Sequence, residues 1–336
     1  MTSTDSINIW SHAASNRKGL AKAMAVLFIS VGLGVALPLS IDWAAANLAE
    51  FQAIAQFLGV HGFKETAVLI PIAMAGVTIA CLFFESIVLG YRNSTLFQVI
   101  DDTNASVRSD LFYFFIRVSG LASFLALIMT LGTSLHVLFL AEKSFAFQLL
   151  AGSHVIAQFA VLVLLITFCN YWLHRLLHSK YFFEIHKVHH SAEFYGVLLP
   201  YRGHPLDHFG ANIYTAAVTG LLGFEPEVMM AWMVLNAFYQ SMVHSNYDWP
   251  EIVEPILITP AAHRIHHSNE PRHFNKNLSI LTLWDRMFGT YLPPEPVFEF
   301  GVENREDFNT GRHLSEVFLC LFRWLGFSGR QSGTSI

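Results

Sequence analysis

The sequence predicts an all-α integral membrane protein: four transmembrane helices plus a hydrophobic helical hairpin, with a cytosolic histidine-rich helical cap. Three observations predict it. Of 336 residues, 53% are hydrophobic and 13% charged, against about 25% charged in soluble domains. Charge-free apolar runs recur at bilayer length. Twelve of the 17 histidines bunch into one stretch of 100 residues. Disorder is excluded by the abundant apolar material. A net charge of −5 leaves no basic footprint, so no nucleic-acid partner is expected. Cys81, Cys169 and Cys320 lie far apart, which argues against a disulfide scaffold and against a thiolate-ligated metal.

About 20 apolar residues cross a hydrocarbon core. Ala23–Ile41 and Thr66–Phe84 each supply 19 residues, Val118–Leu135 supplies 18, and Val155–Leu173 supplies 19 and ends on His174. Two runs of 16 follow, Phe209–Phe224 and Val228–Val243, joined by Glu225-Pro226-Glu227. Sixteen helical residues reach about 24 Å, so this pair reads as a thin or re-entrant hairpin. Arg17, Lys18 and Lys22 precede the first run without a small-residue cleavage pattern after it, which makes it a retained helix. The same cations place the N-terminus in the cytoplasm, and span counting brings helix four out on that side at His174-Arg175. Glu85 and Arg117 fall at span ends and read as snorkelling or pairing residues.

Beyond Val243 the composition turns polar, and residues 244–313 should form the cap. Leu314, Val317, Phe318, Leu321, Phe322 and Leu325 then recur at helical spacing. That helix either lies on the membrane surface or packs on the cap. The expected division is 1–150 for N-terminal transmembrane helices, 151–295 for the catalytic domain, and 296–336 for a cytosolic or membrane-surface tail.

Twelve of the 17 histidines lie between His174 and His273. Three clusters are regular: His174-Arg-Leu-Leu-His178, His186-Lys-Val-His189-His190 and His263-Arg-Ile-His266-His267. Residues three or four apart share a helix face, so each cluster presents two or three imidazoles to one point. Imidazole suits Fe, Zn, Cu and Ni. Eight exceed the needs of one tetrahedral ion, and two metals with about four nitrogens each is the simplest arithmetic.

These boxes, in this order around a hydrophobic hairpin, resemble the sterol desaturase/fatty acid hydroxylase superfamily, the membrane histidine-box di-iron oxygenases. Ile280-Leu-Thr-Leu-Trp-Asp-Arg-Met-Phe-Gly-Thr-Tyr291 is similar to that family's sequence after its last box. His204-Pro205-Leu206-Asp207 is similar to its HPxE/D element. The resemblance spans about residues 155–295 and adds His244, at a place where family members carry a histidine. It implies a centre of two iron ions (Fe2+/Fe3+) on His174, His178, His186, His189, His190, His244, His263, His266 and His267. The expected function is a membrane-bound oxygenase that uses O2 and two electrons to hydroxylate a lipid C–H bond of a sterol, fatty acyl or other lipid. The alternatives are a desaturase on the same site and, more remotely, a membrane zinc hydrolase, which would want an HExxH motif that is missing here. His204 and His208 stay open as ligands or structural contacts, and His273 reads as cap structure. Glu184, Glu193, Asp207, Asp248 and Asp285 are candidates to fix the outer imidazole nitrogens; for Asp285, a salt bridge to Arg286 or a helix cap is the competing reading. No CxxCH and no Rossmann glycine fingerprint is present. Electrons are therefore expected from a separate ferredoxin or cytochrome b5-type reductase system. The expected location is the inner (cytoplasmic) membrane or the endoplasmic reticulum, multi-pass, with lipid as substrate and surroundings and the active site facing the cytoplasm.

Overall fold

The structure is a computed structural model, and it describes residues 64–131, 149–302, 308–309 and 311–327. Among these the architecture is helical, with two isolated β-bridges, Leu257 with Leu281 and Ser268 with Phe300. The first predicted span, Ala23–Ile41, lies outside the described residues, as do His12, His61 and His136.

The second span lies inside α1, Lys64–Leu89. Glu85 near its end corrects the snorkelling and pairing expectation. It is fully buried, with Oε2 accepting from the Thr95 amide at 2.7 Å and Oε1 from the Asn246 amide at 2.8 Å. Two backbone donors satisfy this carboxylate where it would otherwise need a cation. The third predicted run, Val118–Leu135, opens on a break in the helix. Helix α2 (Thr95–Ile100) and helix α3 (Ala105–Val118) precede Ser119-Gly120, and Gly120 has φ 79°. This left-handed residue starts a separate helix α4, Leu121–Met129. The rest of that apolar run lies outside the described residues.

Helix α5, Val155–Leu177, contains the fourth span and is the helix among the described residues long and apolar enough to cross a membrane. The hairpin is two helices of 18 residues each, α7 (Pro205–Leu222) and α8 (Pro226–Val243). Proline opens both at the first helical position, where its missing N–H costs nothing. Gly223, at φ 68°, ends α7. Leu162 and Ile166 of α5 bury against Val218 and Leu222 of α7 and Val228 of α8. On the other side, Cys81 of α1 packs against Met242 of α8.

The cap is built from α6 (Phe183–His190), α9 (Pro260–His266), α10 (Thr282–Met287) and α11 (His313–Trp324). Of the two readings of the C-terminal apolar stripe, packing on the cap describes one face: Val317 and Cys320 of α11 bury with Val188 of α6 and Tyr113 of α3. Leu314, Leu319 and Phe322 on its other face are exposed.

Candidate metal centre

The three boxes occupy the ends of α5, α6 and α9, and the C-terminus of α8 adds His244. Short helices carry two of the boxes because local signals bound them. Thr259 caps α9, its hydroxyl accepting from the Ala262 amide at 3.4 Å, and Pro260 fills the first turn. All nine predicted ligands converge, in two groups. His174, His178, His186, His190 and His266 form one, and His189, His244, His263 and His267 the other, with the ligand atoms of each within 4.8 Å of one another. The groups abut: the His190 and His267 rings stack at 4.6 Å, and His263 and His266 at 5.0 Å.

The donor set fits metal ions. His174 Nδ1 donates to the Leu278 carbonyl at 2.6 Å, His189 Nδ1 to the Arg202 carbonyl at 2.9 Å, His244 Nδ1 to the Gln240 carbonyl at 2.7 Å and His266 Nδ1 to the Lys276 carbonyl at 3.0 Å. His186 Nδ1 faces Asp207 Oδ2 at 3.4 Å. A carbonyl only accepts, so each of those four Nδ1 atoms carries the proton and each Nε2 keeps its lone pair. The Nε2 atoms of His186, His190 and His266 and both ring nitrogens of His178 are buried without a hydrogen-bond partner. Orphaned buried acceptors are costly unless something else takes the lone pair. In the second group His244 Nε2 lies 3.2 Å from His267 Nε2 and 3.1 Å from His263 Nε2. Two nitrogens bound about 2.1 Å from one ion at near-octahedral to tetrahedral angles stand about 3.0–3.4 Å apart.

Burial, reinforced by neighbouring imidazoles, holds His178, His189, His190, His263, His266 and His267 well below the ordinary imidazole pKa. Burial also pushes His244 down to about 4. All seven are neutral at pH 7, the form a metal requires.

The supports are less visible in sequence. Asn277, fully buried at φ 53°, sits between two carbonyls that serve different boxes, Lys276 for His266 and Leu278 for His174. Its side chain donates to the Ala262 carbonyl at 2.8 Å and the Leu292 carbonyl at 2.9 Å. Asparagine tolerates this left-handed conformation better than most residues, and the Asn275-Lys-Asn277 doublet was the available signal. Asp285 makes neither a bridge to Arg286 nor a helix cap. It is fully buried and accepts from the amides of Leu278 at 2.9 Å and Ser279 at 2.8 Å, and from the Thr290 hydroxyl at 2.6 Å. It thereby fixes the Leu278 carbonyl that orients His174. Trp284 Nε1 donates to Thr167 of α5 at 2.9 Å, and Phe288 stacks on Tyr171 at 5.1 Å. The segment after the last box is thus a clasp onto the box-one helix.

Arg202, fully buried, positions His189 through its carbonyl while its guanidinium pairs with Asp110 at 2.9 Å. Nothing about Arg202 stood out in the sequence. Of the other expected carboxylates, Asp207 meets a ligand directly. Glu184 pairs with Lys187 and Arg323, each at 3.2 Å, Glu193 accepts from Asn309 at 2.7 Å, and Asp248 pairs with Arg264. His204 is structural: Nδ1 accepts from the Leu206 amide at 3.2 Å and Nε2 donates to the Val317 carbonyl at 3.0 Å, so neither nitrogen is left for a metal. His273 pairs with Glu295 in the cap. His208 belongs to neither of the two groups. It lines a cavity of about 180 Å³ that also touches His174 and His186 of the first group and His189, His244 and His263 of the second.

Residues 159–290 match the fatty acid hydroxylase family model, and all nine histidines fall inside that span. The resemblance carried by the boxes and the clasp sequence is thereby borne out. Among curated proteins, the chain is similar to the alkylglycerol monooxygenase of Danio rerio, 34% identical over 136 residues, which are 39% of this chain and 30% of the relative. It is also similar to methylsterol monooxygenase 1 of Gallus gallus, 36% identical over 129 residues, 36% of this chain and 41% of the relative. A Delta(7)-sterol 5(6)-desaturase of Gibberella zeae is 28% identical over 162 residues, 48% of this chain and 44% of the relative. The chain spans less than half the length of these relatives. No solved structure matches.

Proposed function

We propose that the protein is a multi-pass membrane di-iron oxygenase that uses O2 and two electrons to hydroxylate a lipid C–H bond. The observation that supports this best is the pair of imidazole groups, five and four, with four Nδ1 protons assigned to backbone carbonyls. The nine histidines would hold two irons, His174, His178, His186, His190 and His266 the first and His189, His244, His263 and His267 the second. Iron so bound would supply the oxidant for an unactivated C–H bond, which side chains alone cannot generate. The chain's own residues orient and enclose. Leu173, Leu177, Val243 and Ile280 line the cavity beside the histidines and suit an acyl or sterol chain while excluding water. Asp207 holds the His186 ring, and the clasp fixes His174.

Residues 151–295 act as the catalytic domain in this reading, with 1–150 as membrane anchor and 296–336 as a tail. The boxes face the cytoplasm, where a separate ferredoxin or cytochrome b5-type system delivers electrons. Similarity to the sterol desaturase supports a second outcome on the same centre, removal of two hydrogens instead of insertion of oxygen.

Incubation with isotopically labelled O2, a reductase system and lipid extract, followed by mass spectrometry, tests the proposal. A labelled hydroxyl in a lipid is the expected product. A product lacking two hydrogens assigns desaturation, and no O2 consumption with any extract overturns the oxygenase reading. For orientation, cysteines placed at exposed Lys180 and Ile252 should resist impermeant reagents applied outside intact cells. Labelling from outside would reverse the topology.

A further inference from the structure

Glu85 is a carboxylate that an anchoring role for α1 leaves unexplained. It follows the apolar run Thr66–Phe84 and is fully buried. A helix that only anchors would be more stable with an apolar residue there, since a buried carboxylate must replace its lost hydration with fixed donors. An ionisable side chain in such a segment points to a task, and its partners identify the task.

The two oxygens of Glu85 hold two different segments. Oε1 accepts from the Asn246 amide at 2.8 Å. Asn246 lies two residues beyond His244, at the exit of α8. Its side chain donates to the Tyr195 carbonyl at 3.1 Å, and the Tyr195 hydroxyl donates back to the Val243 carbonyl at 2.7 Å. The residues on either side of His244-Ser245 are thus both tied down. Oε2 accepts from the amide of Thr95, the first residue of α2, at 2.7 Å. Thr95 Oγ1 in turn accepts from the Val197 amide at 3.0 Å. Gly196 permits this close approach, because a Cβ there would stand 2.8 Å from Thr95 Oγ1. Tyr195, Gly196 and Val197 form the exit of the second box, a few residues beyond His190. One carboxylate on α1 therefore joins the exit of that box to the exit of the hairpin. The ring between them, Tyr195, lies 5.7 Å from the rings of both His244 and His267.

Both of those histidines belong to the four-imidazole group, where His244 Nε2 stands 3.1 and 3.2 Å from its neighbours. A set of four has no ligand to spare at a tetrahedral ion, so holding His244 in place is a condition of binding there. Glu85 and Thr95 lie outside the matched residues 159–290, which makes this support a contribution of the N-terminal helices.

We infer that Glu85 is a positioning residue for the four-imidazole group: it buckles α1 to the exits of the second box and the hairpin, and so makes the N-terminal helices part of the metal centre's frame. The inference rests on the two-metal reading and goes beyond it by extending the centre to α1.

Anaerobic Fe2+ titration of the full chain in nanodiscs, with chelator competition, reads it out. The native chain should bind two ions. Glu85→Leu removes both acceptors and should weaken one ion about tenfold, the lower end of what ligand-orienting partners cost. Glu85→Gln keeps one accepting oxygen and should fall between. In a His267→Ala background, which leaves the five-imidazole group intact, Glu85→Leu should not change the affinity of the remaining ion. Ile166→Ala controls for lost stability alone, because it thins a packing cluster that contains neither Glu85 nor any of the nine histidines; both affinities should stay native. Native affinity for both ions in Glu85→Leu would overturn the inference. So would equal weakening of the two ions, or the same selective loss in Ile166→Ala. If Glu85→Leu fails to fold, Glu85→Gln and Asn246→Ala, which cuts the link to Tyr195, decide by the same criterion. A native chain that binds fewer than two ions overturns the two-metal reading and this inference with it. A native chain that binds two, with variants that match it, overturns this inference alone.

Discussion

The five-imidazole group and the four-imidazole group are built differently. The first takes its rings from boxes one, two and three, and His178 within it has both nitrogens unpartnered. The second takes none from box one; it needs His244 from the end of the hairpin, and its rings already stand 3.1 and 3.2 Å apart at Nε2. A five-member set can lose one nitrogen and still offer a tetrahedral number; a four-member set cannot. The difference makes the hairpin, the element with least resemblance to a ligand-bearing segment, a necessary wall of the second site.

The largest expected effect separates the two groups directly. His267→Ala should abolish activity and lower iron by about one ion per chain, since three ligands remain. His178→Ala should also abolish activity but retain more metal; elemental analysis of both variants checks the ranking. Full activity in His266→Ala would break the two-metal assignment altogether.

Next in size is the buried ion pair behind the second group. Asp110→Asn leaves the Arg202 guanidinium without its carboxylate and should cost about 3–5 kcal/mol, read by chemical denaturation. His189, whose Nδ1 donates to the Arg202 carbonyl, should feel it first, so metal should leave the four-member group before the five-member one.

Acid gives the third comparison. In the metal-free chain His244 has a folded pKa pushed down to about 4 by burial, against about 6.5 in the unfolded chain. Below about 6.5 the unfolded state takes a proton that the native state refuses, so stability present above that pH is lost as pH falls toward about 4. Each such group contributes a slope of up to about 1.4 kcal/mol per pH unit. Denaturation midpoints of metal-free protein should be flat above that pH and fall below it; a flat profile down to pH 4 would show that these rings are solvated.

Smaller still, Asp207→Asn removes the partner of His186 and should weaken metal about 10–100-fold at the five-member group, measured by chelator competition. The smallest effect belongs to His313→Ala. This ring packs on Phe112 at 4.7 Å, away from both groups, and iron content should not change.

By itself, the sequence determined the helical class, the hairpin and eight of the nine converging histidines, because three- and four-residue spacings and apolar run lengths are local properties of a helix; His244 came only with the family resemblance. It also offered Asp207 as one of five candidate supports, in the His204-Pro205-Leu206-Asp207 element. It misjudged Glu85, left Asp285 open between a support of the site and a salt bridge or cap, and did not show the break at the start of the third apolar run. Glu85 and Asp285 are satisfied by backbone amides of segments distant in sequence or folded back by a turn, and the Ser119-Gly120 break depends on one backbone torsion. Only the tertiary structure decided how nine rings divide into five and four, since His189 and His190 are adjacent in sequence yet point to different groups. It alone assigned which nitrogen each ring offers, because the anchoring carbonyls of Arg202, Lys276 and Leu278 come from irregular segments whose direction no side-chain pattern encodes. Backbone carbonyls carry no residue-type signature, so the half of the site they build becomes legible only when the chain is folded.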